Sequence, residues 1–304
     1  MSTLRRILAV TVLAVITAGA AVPAVPAGEA EAAALAAWRA DRLSSLTSEQ
    51  GWLTLVGLYW LKDGANTFGR DRSNTISLND PQLGRRAGRF ILAGGSVRFE
   101  AERGGCVRLA GRPVAAQTLR SDASGEPTVL NCGSIEFFVI ERGGQFGLRV
   151  RDRASRARRE FRGLDYFPVD PGWAIAARFE PYDPPRHVPI VNVLGMEIDM
   201  ESPGAVVFER DGREWRLDAL LEEPGANELF VMFADATSGR ETYGGGRFLS
   251  APLPAAGTVV VDFNKAYNPP CAFTAFATCP LPPPQNRLAL RISAGELRYA
   301  GDGH

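Results

Sequence analysis

The sequence predicts an all-β fold that begins with one α-helix. The 304 residues include 32 glycines and 21 prolines, which interrupt the chain too often for long helices. Short segments in which apolar and polar residues alternate recur along the chain, each bounded by Gly or Pro. Apolar residues make up 45% of the chain and charged residues 22%, the balance of a globular protein with a buried core. We therefore expect two β-sandwich or barrel-like halves.

The first 27 residues have the features of a secretory signal peptide. Arg5 and Arg6 precede an apolar run from Ile7 to Ile16, and small residues that offer cleavage sites follow it up to Ala27. This run is shorter than the roughly 20 residues that a membrane-spanning helix needs. The sequence therefore predicts an exported protein, periplasmic or secreted, with no integral membrane segment after cleavage. An uncleaved anchor and a twin-arginine export route remain alternatives.

Residues 28–50 are expected to form the helix. Leu35, Trp38, Leu43 and Leu46 recur with a roughly helical period within an Ala- and Glu-rich segment. After this segment the helical period disappears and strand patterns begin.

Glycine-centred turns between alternating segments predict three β-hairpins. The predicted hairpins pair residues 96–101 with 106–110 across Gly104-Gly105, residues 134–141 with 146–150 across Gly143-Gly144, and residues 205–210 with Trp215 and Leu217 across Asp211-Gly212. Further strands are expected in the apolar runs 229–234, 258–263 and 288–292.

The chain is expected to divide near residue 160. The polar segment RDRASRARREFR at residues 151–162 separates two strand-rich halves. We predict an N-terminal β domain at 51–160 and a C-terminal β domain at 161–304.

Charge argues against nucleic acid as a partner. The first 27 residues hold two arginines and no acid, so the remaining chain has 32 basic and 34 acidic residues and a net charge near −2. Nucleic-acid binding normally requires an excess of basic residues. We expect no nucleic-acid partner.

The four cysteines suggest disulfides, because their number is even and export is predicted. Cys106, Cys132, Cys271 and Cys279 allow three connectivities, and proximity along the chain favours Cys106 with Cys132 and Cys271 with Cys279. A zinc site lacks ligands, because the chain has no Cys-x-x-Cys pair and its only histidines are His187 and the terminal His304. We predict no metal ion and no cofactor.

Several motifs carry a family resemblance. They are DFNKAYNPPCAFTAFATCPLPPPQNRL (262–288), DATSGRETYGGGRFL (235–249), FRGLDYFPVD (161–170) and GWLTLVGLYWLKDGANTFGRDRSNTISL (51–78). Together they resemble the domain of unknown function family 1684, over nearly all of the chain after the signal segment. The resemblance implies membership of that family but assigns no catalytic residue.

A weaker resemblance concerns the fold of residues 53–114. Gly69-Arg70 follows an apolar strand and residues 74–78 precede a second one, an arrangement similar to forkhead-associated β-sandwich domains. The Ser and His with which such domains hold phosphothreonine are missing, since residues 84–90 read GRRAGRF. We therefore expect the likeness to extend to the fold and not to phosphopeptide binding.

Polar residues cluster after two predicted strands, where binding sites are commonly built. The candidate ligand-binding residues are Asp235, Thr237, Tyr243, Arg247, Asp262, Asn264, Tyr267 and Asn268. Asp235 and Asp262 are a possible acid and base pair with Arg247 holding an anion. Alternatively, these residues cap turns and pair with one another, or Asp262 and Asn264 bind calcium.

No motif identifies a reaction, and whether the chain is an enzyme stays open. His187 lies between prolines without a nucleophile motif, which favours a surface role. Seven arginines lie between Arg149 and Arg162, and they predict an exposed strand or turn with salt bridges. Alternatively, this segment binds an anion. The leading hypothesis is a binding module for a polar or anionic small molecule or glycan. An exported hydrolase and a structural or interaction protein of the cell envelope are the alternatives.

Overall fold

The computed structural model describes residues 27–301 and confirms the all-β fold with one N-terminal helix. The helix α1 (Ala27–Thr47) forms in the predicted Ala-rich segment and buries Leu35 and Leu46. It ends three residues before the predicted limit, because the chain turns back on itself at Gly51. A Cβ at Gly51 would lie 2.3 Å from the carbonyl oxygen of Leu46, so only glycine fits this turn.

The N-terminal half consists of two antiparallel sheets around an aromatic core. Its strands are β1 (Leu55–Trp60), β2 (Gly64–Gly69), β3 (Ile76–Ser77), β4 (Gly88–Ala93), β5 (Ser96–Ala101), β6 (Arg108–Leu109), β7 (Arg112–Pro113), β8 (Ala116–Leu119), β9 (Leu130–Cys132), β10 (Ile135–Arg142) and β11 (Gln145–Asp152). The sheet orders are β1-β11-β10-β9-β6-β7 and β3-β2-β4-β5-β8, in which only the short β2–β3 pairing is parallel. Phe68, Phe90, Phe99 and Phe137 pack between the sheets with ring centroids 4.9 to 6.0 Å apart.

The C-terminal half has its own sheets and core. The short helix α2 (Arg156–Arg159) precedes the strands β12 (Ala174–Val191), β13 (Glu197–Arg210), β14 (Arg213–Ala219), β15 (Glu228–Phe233), β16 (Arg247–Pro252) and β17 (Thr258–Asp262). One sheet has the order β14-β13-β12-β17, and β15 pairs with β16. The core contains Trp173, Phe208, Phe233 and Phe263. The proposed boundary near residue 160 stays a prediction.

Two predicted hairpins are confirmed and one is wrong. The pairs β10–β11 and β13–β14 turn at the glycines that the sequence indicated. The pairing of residues 96–101 with 106–110 does not occur, because β5 pairs instead with β4 across Gly94-Gly95 and with β8. Both glycines have positive φ, the conformation that a tight hairpin turn requires. The disulfide between Cys106 and Cys132 holds the 106–110 segment against the other sheet.

The predicted strand at 288–292 is also wrong. The segment is buried, with Leu288, Leu290 and Ile292 in the C-terminal core, but it does not join a sheet as a strand. The amide of Ile292 donates to a side-chain oxygen of Asp235, and its carbonyl accepts from Arg247. Leu288 and Leu290 bond the backbone of Ala234 and Ala236, whereas Ile292 bonds the side chains of Asp235 and Arg247.

The outer face of the sheet that contains β10 is also buried. Side chains alternate along a strand, so Phe138 and Ile140 point away from the core that Phe137 and Val139 enter, yet both are buried. The C-terminal half contacts this region through Thr274, whose hydroxyl donates to the carbonyl of Leu55 at 3.4 Å.

The predicted signal peptide and its cleavage sites lie outside the described residues. Within residues 27–301, no helix is long and apolar enough to cross a membrane. Cys106 and Cys132 form the expected disulfide, whereas Cys271 and Cys279 are present as two buried thiols.

Candidate functional site

The candidates Asp235 and Arg247 meet in the protein interior. Asp235 follows β15 and Arg247 opens β16, and both side chains have no solvent exposure. Arg247 Nη2 lies 3.4 Å from Asp235 Oδ1 and donates to the carbonyl of Ile292 at 3.0 Å, while Nη1 donates to Ala294. Burial lowers the pKa of Arg247, and the charge of Asp235 opposes that shift. The pair holds the 292–294 segment in place.

The carboxylate oxygens of Asp235 also accept hydrogen bonds from Thr237 and Ile292. The hydroxyl of Thr237 donates to both carboxylate oxygens, at 2.8 and 2.9 Å, and contacts the hydroxyl of Thr242 at 2.9 Å. The amide of Ile292 donates at 2.8 Å. Asp235 and Thr237 are therefore engaged within the protein, and the side chains of Asp235 and Arg247 have no solvent-exposed surface.

Asp262 and Asn264 form a cap at the end of β17. Asp262 Oδ1 accepts from the amide of Asn264 at 3.1 Å and from its side chain at 3.0 Å. Asn264 is buried and bonds the backbone of Asp170 through both side-chain atoms. Among the described residues, no group of acids, histidines and cysteines is arranged to hold a metal ion. Asp262 belongs to this separate cap, whereas Asp235 is enclosed in its own network.

Tyr267 and Asn268 meet helix α1. Arg42 donates to Glu296 at 2.9 Å and to the carbonyl of Asn268 at 2.8 Å, and its guanidinium lies 4.8 Å from the centroid of the Tyr267 ring. Glu296 is fully buried and also accepts from the amide of Asn268 at 2.7 Å. Burial raises the pKa of Tyr267 to about 12. These contacts attach α1 to the C-terminal half.

An open pocket of about 260 Å³ lies beside this attachment. Arg39 and Leu43 of α1 line it on one side, and Leu164 and Tyr166 on the other. The Arg39 guanidinium stacks 4.0 Å above the Tyr166 ring centroid, and its Nε and Nη2 atoms are covered without a hydrogen-bond acceptor among the described residues. Burial raises the pKa of Tyr166 to about 12.

No sequence pattern identified Arg39 or Tyr166 as site residues. The helical pattern placed Arg39 between Trp38 and Leu43, and FRGLDYF was identified only as part of the family motif. The two segments are more than 120 positions apart in the numbering, so their contact arises from the tertiary fold. An arginine on the border of an otherwise apolar helix face was the one available signal.

The predicted exposure of the arginine run at residues 149–162 is wrong for Arg149. Arg149 is only 4% exposed instead of lying on an exposed face, because the C-terminal half covers that side of β11. Its Nη2 lies 3.4 Å from the hydroxyl of Thr278. Arg156, by contrast, is exposed and pairs with Glu160. His187 is also exposed and lies 3.1 Å from Asp199.

The last candidate, Tyr243, lies beside the two thiols. It packs with Trp52 against the cluster that contains Cys271 and Cys279. Burial raises the pKa of Tyr243 to about 12, and the charges of both cysteines add to that shift. The eight sequence candidates are therefore divided between a buried ion-pair network, a strand cap, the α1 attachment and the thiol cluster.

The fold and these clusters define a β-rich protein with two cores joined by an N-terminal helix. Residues 159–297 match the family described as "Protein of unknown function (DUF1684)". The chain belongs to this family, as its motifs indicated. No match was found among curated proteins.

Solved structures include several similar chains. An uncharacterised protein of Haloarcula marismortui is 31% identical; the match covers 46% of this chain and 78% of that chain, with a TM-score of 0.40. The FHA domain of FhaA, in complex with the intracellular domain of Rv3910, is 16% identical over 30% of this chain and 96% of that chain, with a TM-score of 0.22. An FHA domain studied for phosphothreonine-dependent interactions is 18% identical over 32% and 96%, also with a TM-score of 0.22.

Proposed function

We propose that this protein is an exported binding module for a small anionic molecule, and that the ligand occupies the pocket between α1 and residues 163–166. Export rests on the composition of the first 27 residues. The observation that supports the site is Arg39, the charged side chain that lines the pocket and that has two nitrogens without an acceptor.

The chemistry of the pocket favours a ligand with one acidic group and an apolar part. A carboxylate or phosphate oxygen in the pocket would pair with the positive charge of Arg39, and charge-assisted hydrogen bonds are stronger than neutral ones. Leu43, Leu164 and Ala40 supply apolar walls. The volume lies slightly below the roughly 300 to 1,000 Å³ of sites for drug-sized ligands, so a small acid fits best.

The other candidate ligands and functions have less support. A glycan commonly stacks on an aromatic ring, but Arg39 already covers one face of Tyr166. A hydrolase that used Asp235 and Asp262 as its acid and base would need both carboxylates accessible, whereas Asp235 is enclosed and Asp262 caps its own turn. Arg39 and Tyr166 therefore line the proposed site, in place of the eight residues predicted from the sequence.

The test is thermal unfolding with two probes, sodium benzoate and inorganic phosphate, at constant ionic strength. We expect benzoate to raise the Tm of the wild-type protein, since a ligand that binds only the folded state stabilises it by about 2.7 kcal/mol at 100 times its Kd. Arg39→Gln should abolish this shift. Arg103→Gln, which removes a charge from an exposed turn, should retain it.

Each outcome has a defined meaning. Stabilisation by phosphate alone would support an anion site but contradict the requirement for an apolar part. Equal stabilisation of the Arg39→Gln variant would show that the anion binds elsewhere. If neither probe stabilises the wild-type protein, the proposal fails.

A further inference from the structure

We propose that Cys271 and Cys279 form a reversible dithiol–disulfide pair, assisted by Arg149, that is distinct from the structural bond between Cys106 and Cys132. The proposal concerns a different region from the anion pocket and does not depend on it. It rests on the mutual placement of the two sulfurs and on an unusual buried cation beside them.

The two cysteines hold each other in contact. The amide of Cys271 donates to the sulfur of Cys279 at 3.1 Å, and the amide of Cys279 donates to the sulfur of Cys271 at 3.3 Å. The two side chains also share a hydrogen bond. Each sulfur therefore faces the backbone of the other cysteine, which places the two side chains side by side.

The loop between the cysteines is anchored on both sides. The amide of Phe273 donates to the carbonyl of Pro270 at 3.0 Å, and the carbonyl of Cys279 accepts from Val193 at 3.0 Å. Thr274 reaches the N-terminal half through the carbonyl of Leu55. The sulfurs are therefore held close together by the surrounding structure.

Arg149 supplies a positive charge without a carboxylate partner in the described part of the chain. Its Nε has no hydrogen-bond partner there, and its guanidinium lies 5.8 Å from the centroid of the Trp52 ring. Asp122, the acid whose charge acts on Arg149, forms an ion pair with Arg142 at 2.8 Å. Because burying an uncompensated cation is costly, an anion formed nearby is stabilised.

The anion that this charge can stabilise is a thiolate. The hydrogen bond from Cys279 lowers the pKa of Cys271, and the charge of Arg149 contributes in the same direction. The same hydrogen bond and burial raise the pKa of Cys279. Since the thiolate is the reactive species, Cys271 is the attacking sulfur and Cys279 the resolving sulfur.

The oxidant required is a disulfide, either a small molecule or another protein. The Cys271 thiolate attacks one sulfur of that disulfide, forms a mixed disulfide and releases the other sulfur as a thiolate. Cys279 loses its proton to solvent and attacks the sulfur of Cys271, which breaks the mixed bond and releases the second thiolate. The protein loses two electrons and two protons, and the oxidant becomes two thiols.

The test uses the full-length protein equilibrated with graded ratios of reduced and oxidised glutathione. After thiols are blocked by alkylation, cleavage after Lys and Arg gives a peptide of residues 266–287 that contains both Cys271 and Cys279, whereas Cys106 and Cys132 lie in other peptides. We expect the oxidised fraction of this peptide to follow the glutathione ratio while the Cys106–Cys132 bond persists. Thiols at every ratio, or a bond that is never reduced, would overturn the proposal.

Single variants assign the roles of the two sulfurs. Cys279→Ser should trap glutathione on Cys271, because the resolving sulfur is absent. In Cys271→Ser, Cys279 should react with oxidised glutathione at least about tenfold more slowly than Cys271 does in Cys279→Ser, because burial still disfavours the thiolate of Cys279. Equal rates in the two variants would contradict the assignment.

A third variant tests the cation without removing a sulfur. Arg149→Gln should slow alkylation of Cys271 about tenfold at neutral pH and shift its pH profile upward. Arg103→Gln is the matched control for loss of charge. An unchanged rate in Arg149→Gln would remove Arg149 from the proposal, and near-UV circular dichroism checks that the variant remains folded.

Discussion

Arg247 shows how a residue selected for ligand binding serves the fold instead. Burying an arginine is costly unless an anion and hydrogen-bond acceptors compensate its charge. Here Asp235 and two backbone carbonyls fulfil that role. The same polar residue types occur in binding sites and in buried networks, so residue type alone does not distinguish them.

We expect Arg247→Met to lower the free energy of unfolding by about 3 to 5 kcal/mol, because Asp235 is left buried without its cation. The double variant Asp235→Asn with Arg247→Met should recover part of this loss. Urea unfolding of the single and double variants provides the measurement. A double variant less stable than Arg247→Met would show that the two side chains do not act as a pair.

Tyr267 predicts how stability changes at alkaline pH. Burial raises its pKa to about 12, whereas an unfolded tyrosine has a pKa near 10. A raised folded-state pKa contributes stability that is complete below pH 10 and is lost as the pH rises through 12. We expect the urea midpoint to fall over this interval, with Tyr267 contributing roughly 1 to 2 kcal/mol. Tyr267→Phe should reduce the fall, and an identical fall in the variant would contradict the assignment.

Helix α1 is the element whose placement depends most on polar contacts with distant residues. Leu46 buries its side chain in a cluster with Leu53 and Phe273. Arg158 donates to the carbonyl of Thr47 at 2.7 Å, which satisfies a backbone acceptor at the end of the helix. The ion pair between Arg42 and Glu296 fixes the rotation of the helix about its axis.

We expect Arg42→Gln to lower the free energy of unfolding by about 2 to 4 kcal/mol, because Glu296 is left buried without a cation. The amide protons of α1 should exchange faster, since the helix loses its attachment. Arg39 lies one turn away on the same helix and forms no ion pair within residues 27–301, so Arg39→Gln should cost less than about 1 kcal/mol. Equal losses in the two variants would show that the Glu296 contact does not hold the helix.

The Cys106–Cys132 disulfide connects elements that do not neighbour each other along the chain. It joins the segment before β6 to the end of β9. Replacing both cysteines with serine should lower stability by about 2 to 4 kcal/mol, because the unfolded chain regains its conformational freedom. Thermal unfolding without reductant is the measurement, and an unchanged Tm would contradict a structural role.

At the scale of the whole molecule, the two halves share buried residues. Leu46, Leu53 and Phe273 form one cluster from the helix, the start of the N-terminal half and the C-terminal loop. The Thr274 hydroxyl also donates to the carbonyl of Leu55 at 3.4 Å. Each half therefore covers apolar surface of the other.

We expect the two halves to unfold together in one calorimetric transition, with equal calorimetric and van't Hoff enthalpies. Phe273→Ala should lower the single Tm, because loss of a buried phenylalanine costs about 3 to 5 kcal/mol. Two separate transitions in the wild-type protein would show that the shared cluster does not couple the halves.

The sequence by itself determined the local features of this protein. Alternation around Gly143-Gly144 and Asp211-Gly212 identified two hairpins, and apolar spacing identified α1, because these patterns depend on neighbouring residues. The tertiary structure decided the strand partners of β5, the irregular course of residues 288–292, the burial of Arg149 and the meeting of Arg39 with Tyr166. Each of these depends on contacts between distant segments, and the burial of a polar side chain is decided by which of those segments covers it.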